Sequence, residues 1–217
     1  MKTDELIARL AADLRPATRF DPRQRAAGWL LVAAAYVLIT AGTAFMRVLT
    51  GSVAAAGYEY LLEQVSGTAL VVTAACAAFM SAVPGGGRQA LALTAGAAMA
   101  WLAVVVAATV GDLRAGAVFN ATLRSESACI VPLLAAGGLL WAVLALGLPR
   151  GAVVSPRNPA LAASLAAVAA ANLQACLVHP HAFSGTVLVW HGGTMLAMAL
   201  LLTACGIGWL RMRPRLA

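Results

Sequence analysis

The chain carries four cysteines, Cys76, Cys129, Cys176 and Cys205, and three histidines, His179, His181 and His191. Thiols pair in an oxidising compartment, and thiolate sulfur with imidazole nitrogen is the donor set that soft metals such as zinc, copper or cadmium prefer. The run Cys176-Leu177-Val178-His179-Pro180-His181 places three such donors close together, and Trp190-His191 follows shortly after. That spacing is weakly metal-like, since no second close ligand pair accompanies it. Glycine-rich phosphate loops, H-E-x-x-H, G-x-S-x-G and C-x-x-C do not occur. Hydrolytic, nucleotide-dependent and dithiol-shuttle chemistries therefore lack their usual residues, and the chain reads as a protein that is not an enzyme.

What positions these side chains follows from composition. Of 217 residues, 62% are hydrophobic and 11% charged, against about 45–50% apolar and about 25% charged in an average globular protein. Mean hydropathy is +0.86. So few charges cannot cover a soluble fold of this size, and so much apolar material excludes disorder. Six stretches reach the roughly 20 apolar residues that a spanning helix needs: about Ala27 to Met46, Leu61 to Val83, Ala90 to Val110, Ala128 to Leu148, Pro159 to Val178 and Thr186 to Leu210. None alternates at period two as a barrel strand would. The expected fold is an all-α membrane protein, a bundle of six transmembrane helices preceded by a short cytoplasmic amphipathic helix. Its parts are a cytoplasmic segment over 1–26, the six-helix domain over 27–210 and a basic cytoplasmic tail over 211–217.

Lysine and arginine orient the bundle. Twelve fall in the N-terminal tail, the even loops and the C-terminus, while Arg47, Arg114 and Arg124 are left for the other side. Short loops with that bias put both termini in the cytoplasm, in a bacterial inner membrane. The net charge of +7 is then topology and attraction to anionic lipid, with no direct nucleic-acid contact. With this orientation Cys129 opens the fourth span and Cys176 ends the fifth, both on the outer face. His179, His181 and His191 share that level and are the candidate metal ligands, with a soft metal ion as the cofactor they would take. The plainer alternative is that Cys129 and Cys176 form a structural disulfide or are merely small interfacial residues. For His191 beside Trp190, an interfacial hydrogen-bonding role is favoured over ligation. Cys76 and Cys205 lie inside spans, toward the cytoplasmic half, where a thiol packs as a small inert residue. Glu63 stands at the edge of the second span.

The substantial cytoplasmic segment begins with a helix pattern. Thr3 can cap it, Asp4 and Glu5 suit its positive end, and Pro16 stops it. Leu6, Ile7, Leu10 and Leu14 form one apolar stripe, and Glu5, Arg9 and Asp13 stand four apart on the surface. Such a helix lies on the inner leaflet or enters a partner's groove. Four large aliphatic side chains supply roughly 6–12 kcal/mol gross against about 4–15 kcal/mol for association, so neighbouring residues must add to the grip.

The opening Met1-Lys2-Thr3-Asp4-Glu5-Leu6-Ile7-Ala8-Arg9-Leu10-Ala11-Ala12-Asp13-Leu14, the six spans, Cys129, Cys176 and the Trp190-His191-Gly192 turn resemble the NrsF family of bacterial membrane anti-sigma factors. The resemblance extends over essentially the whole chain. It implies a regulator that sequesters an extracytoplasmic-function sigma factor at the membrane and releases it when an outer cysteine pair senses metal or oxidative stress. Carried over by position, the sensing pair is Cys129 and Cys176. The sigma-binding element is the N-terminal helix, with Leu6, Ile7, Arg9, Leu10, Asp13 and Leu14 as the contact residues. Gln174 and Ala175 precede Cys176, where the family has a histidine before its second cysteine. Two other classes compete: a small transporter or channel with outer-face Cys and His ligands, and a quinone-dependent membrane redox enzyme. The former requires a continuous polar path, for which Thr73, Thr94, Thr109, Ser164, Asn172 and Gln174 are the candidates.

Overall fold

Asp21 and Pro22 open the first helix. Asp21 Oδ1 accepts the backbone N–H of Arg23 at 2.9 Å and of Gln24 at 3.3 Å, an N-cap. Pro22 takes the first helical position, where its missing N–H removes no hydrogen bond. In the computed structural model, α1 then runs over Pro22–Leu49, α2 over Tyr58–Met80, α3 over Arg88–Arg114, α4 over Leu123–Gly147 and α5 over Arg157–Val178. A π-helical turn, Val187–His191, leads into α6, Gly192–Arg211. The structure describes residues 20–49, 58–116, 123–149, 155–178 and 187–212, with Thr3, Glu5, Ile7, Ala12, Val153 and Gly185, and backbone alone at 43–49, 123–129 and Val178.

The described residues contain helices and no strand. Six helices are long and apolar enough to cross a membrane, one for each stretch expected from the sequence, with ends displaced by a few residues. The Asp21 cap explains why α1 starts at Pro22 rather than Ala27. The sixth stretch is divided, because its first turn is π rather than α.

The bundle is organised around α5, of whose span-length window 83% is buried, against 17–39% for the others. The residues explain the placement. Ala160, Ala163, Ala166, Ala167, Ala170 and Ala171 are all essentially inaccessible, and side chains this small let neighbouring backbones approach closely. Glycines on the neighbours complete the fit. A Cβ at Gly67 of α2 would lie 2.8 Å from Leu173 Cδ2, and one at Gly206 of α6 would lie 3.0 Å from Ala160 Cβ. One at Gly137 of α4 would meet Ala171 Cβ at 3.7 Å.

Indole donors tie further helices to α4: Trp29 Nε1–H donates to Leu140 O at 3.1 Å and Trp209 Nε1–H to Ala145 O at 3.0 Å. The turn from α2 to α3 uses Gly85 and Gly87 at φ 77° and 91°, left-handed backbone that glycine adopts without strain. A Cβ at Gly87 would also come within 2.6 Å of Ser81. Leu31, Leu38, Ile39, Leu146, Leu200 and Leu201 all face outward, an apolar exterior that suits lipid better than water.

Candidate functional site

Three helical stripes converge at one end of the bundle. On α2 the inward register Ala78, Ala74, Leu70, Gly67 continues four residues further to Glu63, which is half-buried. On α5, Asn172 and Cys176 stand four apart on one face, each 2% exposed. On the last helix the stripe of Met198 and Met195 continues four residues back to His191, which is 1% exposed. The π turn ending at His191 brings Val187 inward as well; such turns recur at functional sites.

These side chains meet. His191 Nδ1 lies 2.9 Å from Asn172 Oδ1, and because a carboxamide oxygen only accepts, Nδ1 carries the proton and donates. The same Nδ1 lies 3.7 Å from Cys176 Sγ. The Cys176 thiol donates to Glu63 Oε1 at 3.4 Å and stands 3.9 Å from Asn172 Oδ1. Tyr60 O–H, one turn from Glu63, donates to the Cys176 carbonyl at 3.5 Å. Two residues before the cysteine, Gln174 Oε1 accepts from Tyr36 O–H at 3.1 Å, joining α1 to the same end. The thiol thus lies between the Glu63 carboxylate on one side and the His191 imidazole on the other.

Of the residues the sequence singled out, Cys176 and His191 are brought together. His191 is buried within the bundle and hydrogen-bonded there, Asn172 supplying the partner that water would otherwise provide. Beside it, Trp190 Nε1–H has no hydrogen-bond partner among the described residues. Cys129 lies on α4 at the same end as Cys176; its side chain, and all of His179 and His181, lie outside the described residues. No group of three or more His, Cys, Asp or Glu suited to a metal ion occurs among the described residues. Cys76 and Cys205 lie in α2 and α6, the former half-buried and the latter exposed.

In the N-terminal segment, Thr3, Glu5, Ile7 and Ala12 have helical backbone and are exposed, Ile7 at 59%. Leu6, Arg9, Leu10, Asp13 and Leu14 lie outside the described residues. The residues proposed for a transport path divide. Thr73, Thr94, Thr109 and Ser164 donate to carbonyls four residues back, at 2.7–2.9 Å, in their own helices. Asn172 and Gln174 are engaged by His191 and Tyr36.

Sequence reasoning had no role for Glu63 and Tyr60 and gave Asn172 to a rival reading. The signal was present: Glu63 is spaced four, seven and eleven residues from Gly67, Leu70 and Ala74, the period of one inward face.

The described residues thus form a helical bundle apolar enough to cross a membrane, with a buried thiol–imidazole–carboxylate cluster at one end. The family described as NrsF, negative regulator of sigma F, matches residues 10–212. The chain belongs to that family. Comparison with curated proteins and with solved structures gave no match.

Proposed function

We propose that the chain is a membrane-anchored anti-sigma factor that holds an extracytoplasmic-function sigma factor at the cytoplasmic face of a bacterial inner membrane and releases it when Cys129 and Cys176 are oxidised. The family match over residues 10–212 carries this reading. Both termini and residues 1–26 lie in the cytoplasm, by the excess of Lys and Arg on that side. The partner enters against Leu6, Ile7, Leu10 and Leu14, flanked by Arg9 and Asp13, and the exposure of Ile7 on helical backbone supports a surface left open for it.

The sensing end is the far end of the bundle. Cys129 lies on α4 four residues before Leu133, toward the same end as Cys176. The Gly137–Ala171 approach fixes the register of α4 against α5. Counted from that approach along straight helices, Cys129 and Cys176 fall at levels differing by three residues, about 4.5 Å along the axis, which supports pairing them. In the sensing step each thiol loses its hydrogen and the sulfurs join. An oxidant of the peroxide class takes up two electrons and two protons and leaves as an alcohol and water, or as two waters.

Oxidation must favour one bundle arrangement over another, and carrying an equilibrium from 1:99 to 99:1 takes about 5.5 kcal/mol of differential free energy. Because α5 packs against α1, α2, α4 and α6, a shift at Cys176 reaches the neighbouring helices that extend to the sigma-binding end. Deleting residues 1–15 tests the reading: the truncated protein should still enter the membrane and no longer co-purify with its cognate sigma factor. Retained capture would overturn the assignment.

A further inference from the structure

The Cys176 sulfur is met by Glu63 at 3.4 Å and by His191 Nδ1 at 3.7 Å, with Asn172 holding the imidazole at 2.9 Å. A cysteine packed only as a small apolar residue has no need of three polar neighbours in a bundle this apolar. We propose that Glu63 is a lock on the Cys176 thiol and that the His191–Asn172 pair is the opposing support for its thiolate, so that these three residues set when Cys176 reacts. The proposal rests on the reading of Cys176 as a sensing thiol and names the residues that tune it.

The chemistry follows from the charges. With the S–H donating to the Glu63 carboxylate, the pair carries a single negative charge. Removing the thiol proton would set two negative charges 3.4 Å apart in a poorly solvated site, which strongly disfavours the thiolate. His191 acts oppositely: its Nδ1–H, donated to Asn172 Oδ1 at 2.9 Å, lies beside the sulfur at 3.7 Å, and the positive end of that dipole favours negative charge there. Among the described residues, the further titratable groups at this end are Tyr60, which donates to the Cys176 carbonyl, and Tyr36, held by Gln174. Signal-driven displacement of α2 from α5 would withdraw Glu63 and leave His191 in place, converting a quiet thiol into a nucleophile.

The full chain in membrane vesicles, with Cys76, Cys129 and Cys205 changed to serine, isolates Cys176 for titration with methyl methanethiosulfonate. The thiolate attacks the reagent sulfur, forming a methyl disulfide and expelling methanesulfinate. Glu63→Gln keeps the shape and removes the charge, and should react about tenfold faster at pH 7, one pK unit's worth. Its advantage should shrink as the pH rises and the wild-type thiol ionises. Glu63→Asp keeps the charge and should stay within about threefold of the parent. His191→Phe should react about tenfold slower.

Opposite signs for Glu63→Gln and His191→Phe cannot come from loosened packing, which would expose the sulfur in both. Equal or slower reaction of Glu63→Gln, or acceleration by all three substitutions, overturns the proposal. The S–H stretching band of the isolated thiol gives a second readout: it should move to higher frequency in Glu63→Gln, and an unmoved band counts against the lock. Sigma-factor retention by Cys176→Ser tests the sensing reading separately, since its failure would leave the thiol rates unchanged.

Discussion

His191 Nδ1–H donates to Asn172 Oδ1 at 2.9 Å, between two side chains no more than 2% exposed. The bond joins the π turn to α5 and fixes which ring nitrogen faces the Cys176 sulfur. Asn172→Ala would leave the imidazole N–H buried without its acceptor, a cost of about 1–3 kcal/mol. We expect a lower melting temperature in detergent with unchanged membrane insertion; an unaltered melting temperature would mean that the bond contributes nothing to stability.

Two glycine substitutions make a matched pair. At Gly67 a new Cβ meets Leu173 Cδ2 at 2.8 Å, so Gly67→Ala should force the buried Leu173 side chain to repack and destabilise by about 1–3 kcal/mol. At Gly28 a Cβ meets nothing within 4 Å, and Gly28→Ala should be neutral or stabilise by up to about 1 kcal/mol through helix propensity. Comparing the two unfolding midpoints in one detergent checks the close approach.

Ile7 offers the clearest handle on the proposed partner surface. If its exposed side chain is buried in the complex, Ile7→Asp forfeits about 1.5–3 kcal/mol of apolar burial, a loss of at least roughly tenfold in sigma-factor affinity. Quantitative pull-down from solubilised membranes reads this directly. Undiminished capture would overturn Ile7 as part of the proposed binding surface.

The four cysteines should separate by position. Cys129→Ser and Cys176→Ser should each abolish oxidant-dependent transcription of the sigma regulon, whereas Cys76→Ser and Cys205→Ser should leave it unchanged. Equal effects at all four would contradict a sensor confined to one end. Challenge with soft metals in the same strains would show whether metal acts through the same pair.

Much of the architecture was legible in the chain because the bilayer imposes a simple rule. About 20 apolar residues make one crossing helix, and the breakers between the six runs are visible as Pro84-Gly85-Gly86-Gly87, Leu148-Pro149-Arg150-Gly151 and Pro180. Helix ends were less legible where a side chain decides them: only the Asp21 hydrogen bonds extend α1 back to Pro22. The sequence also marked Cys176 and His191 as chemically notable, since few other residues there carry a thiol or an imidazole.

By itself, then, the sequence determined the number of apolar helices, the uneven placement of basic residues and the two candidate ends of the molecule. All of these depend on composition and on contacts close along the chain. It did not determine the neighbours of Cys176. Glu63 lies 113 residues away in sequence and His191 fifteen, and the spans that carry them are similarly rich in alanine and leucine. Only packing, with α5 enclosed and glycines opposite its alanines, decides which faces meet. That close approach turns an edge-of-span glutamate, an asparagine and a histidine into the surroundings of a single sulfur.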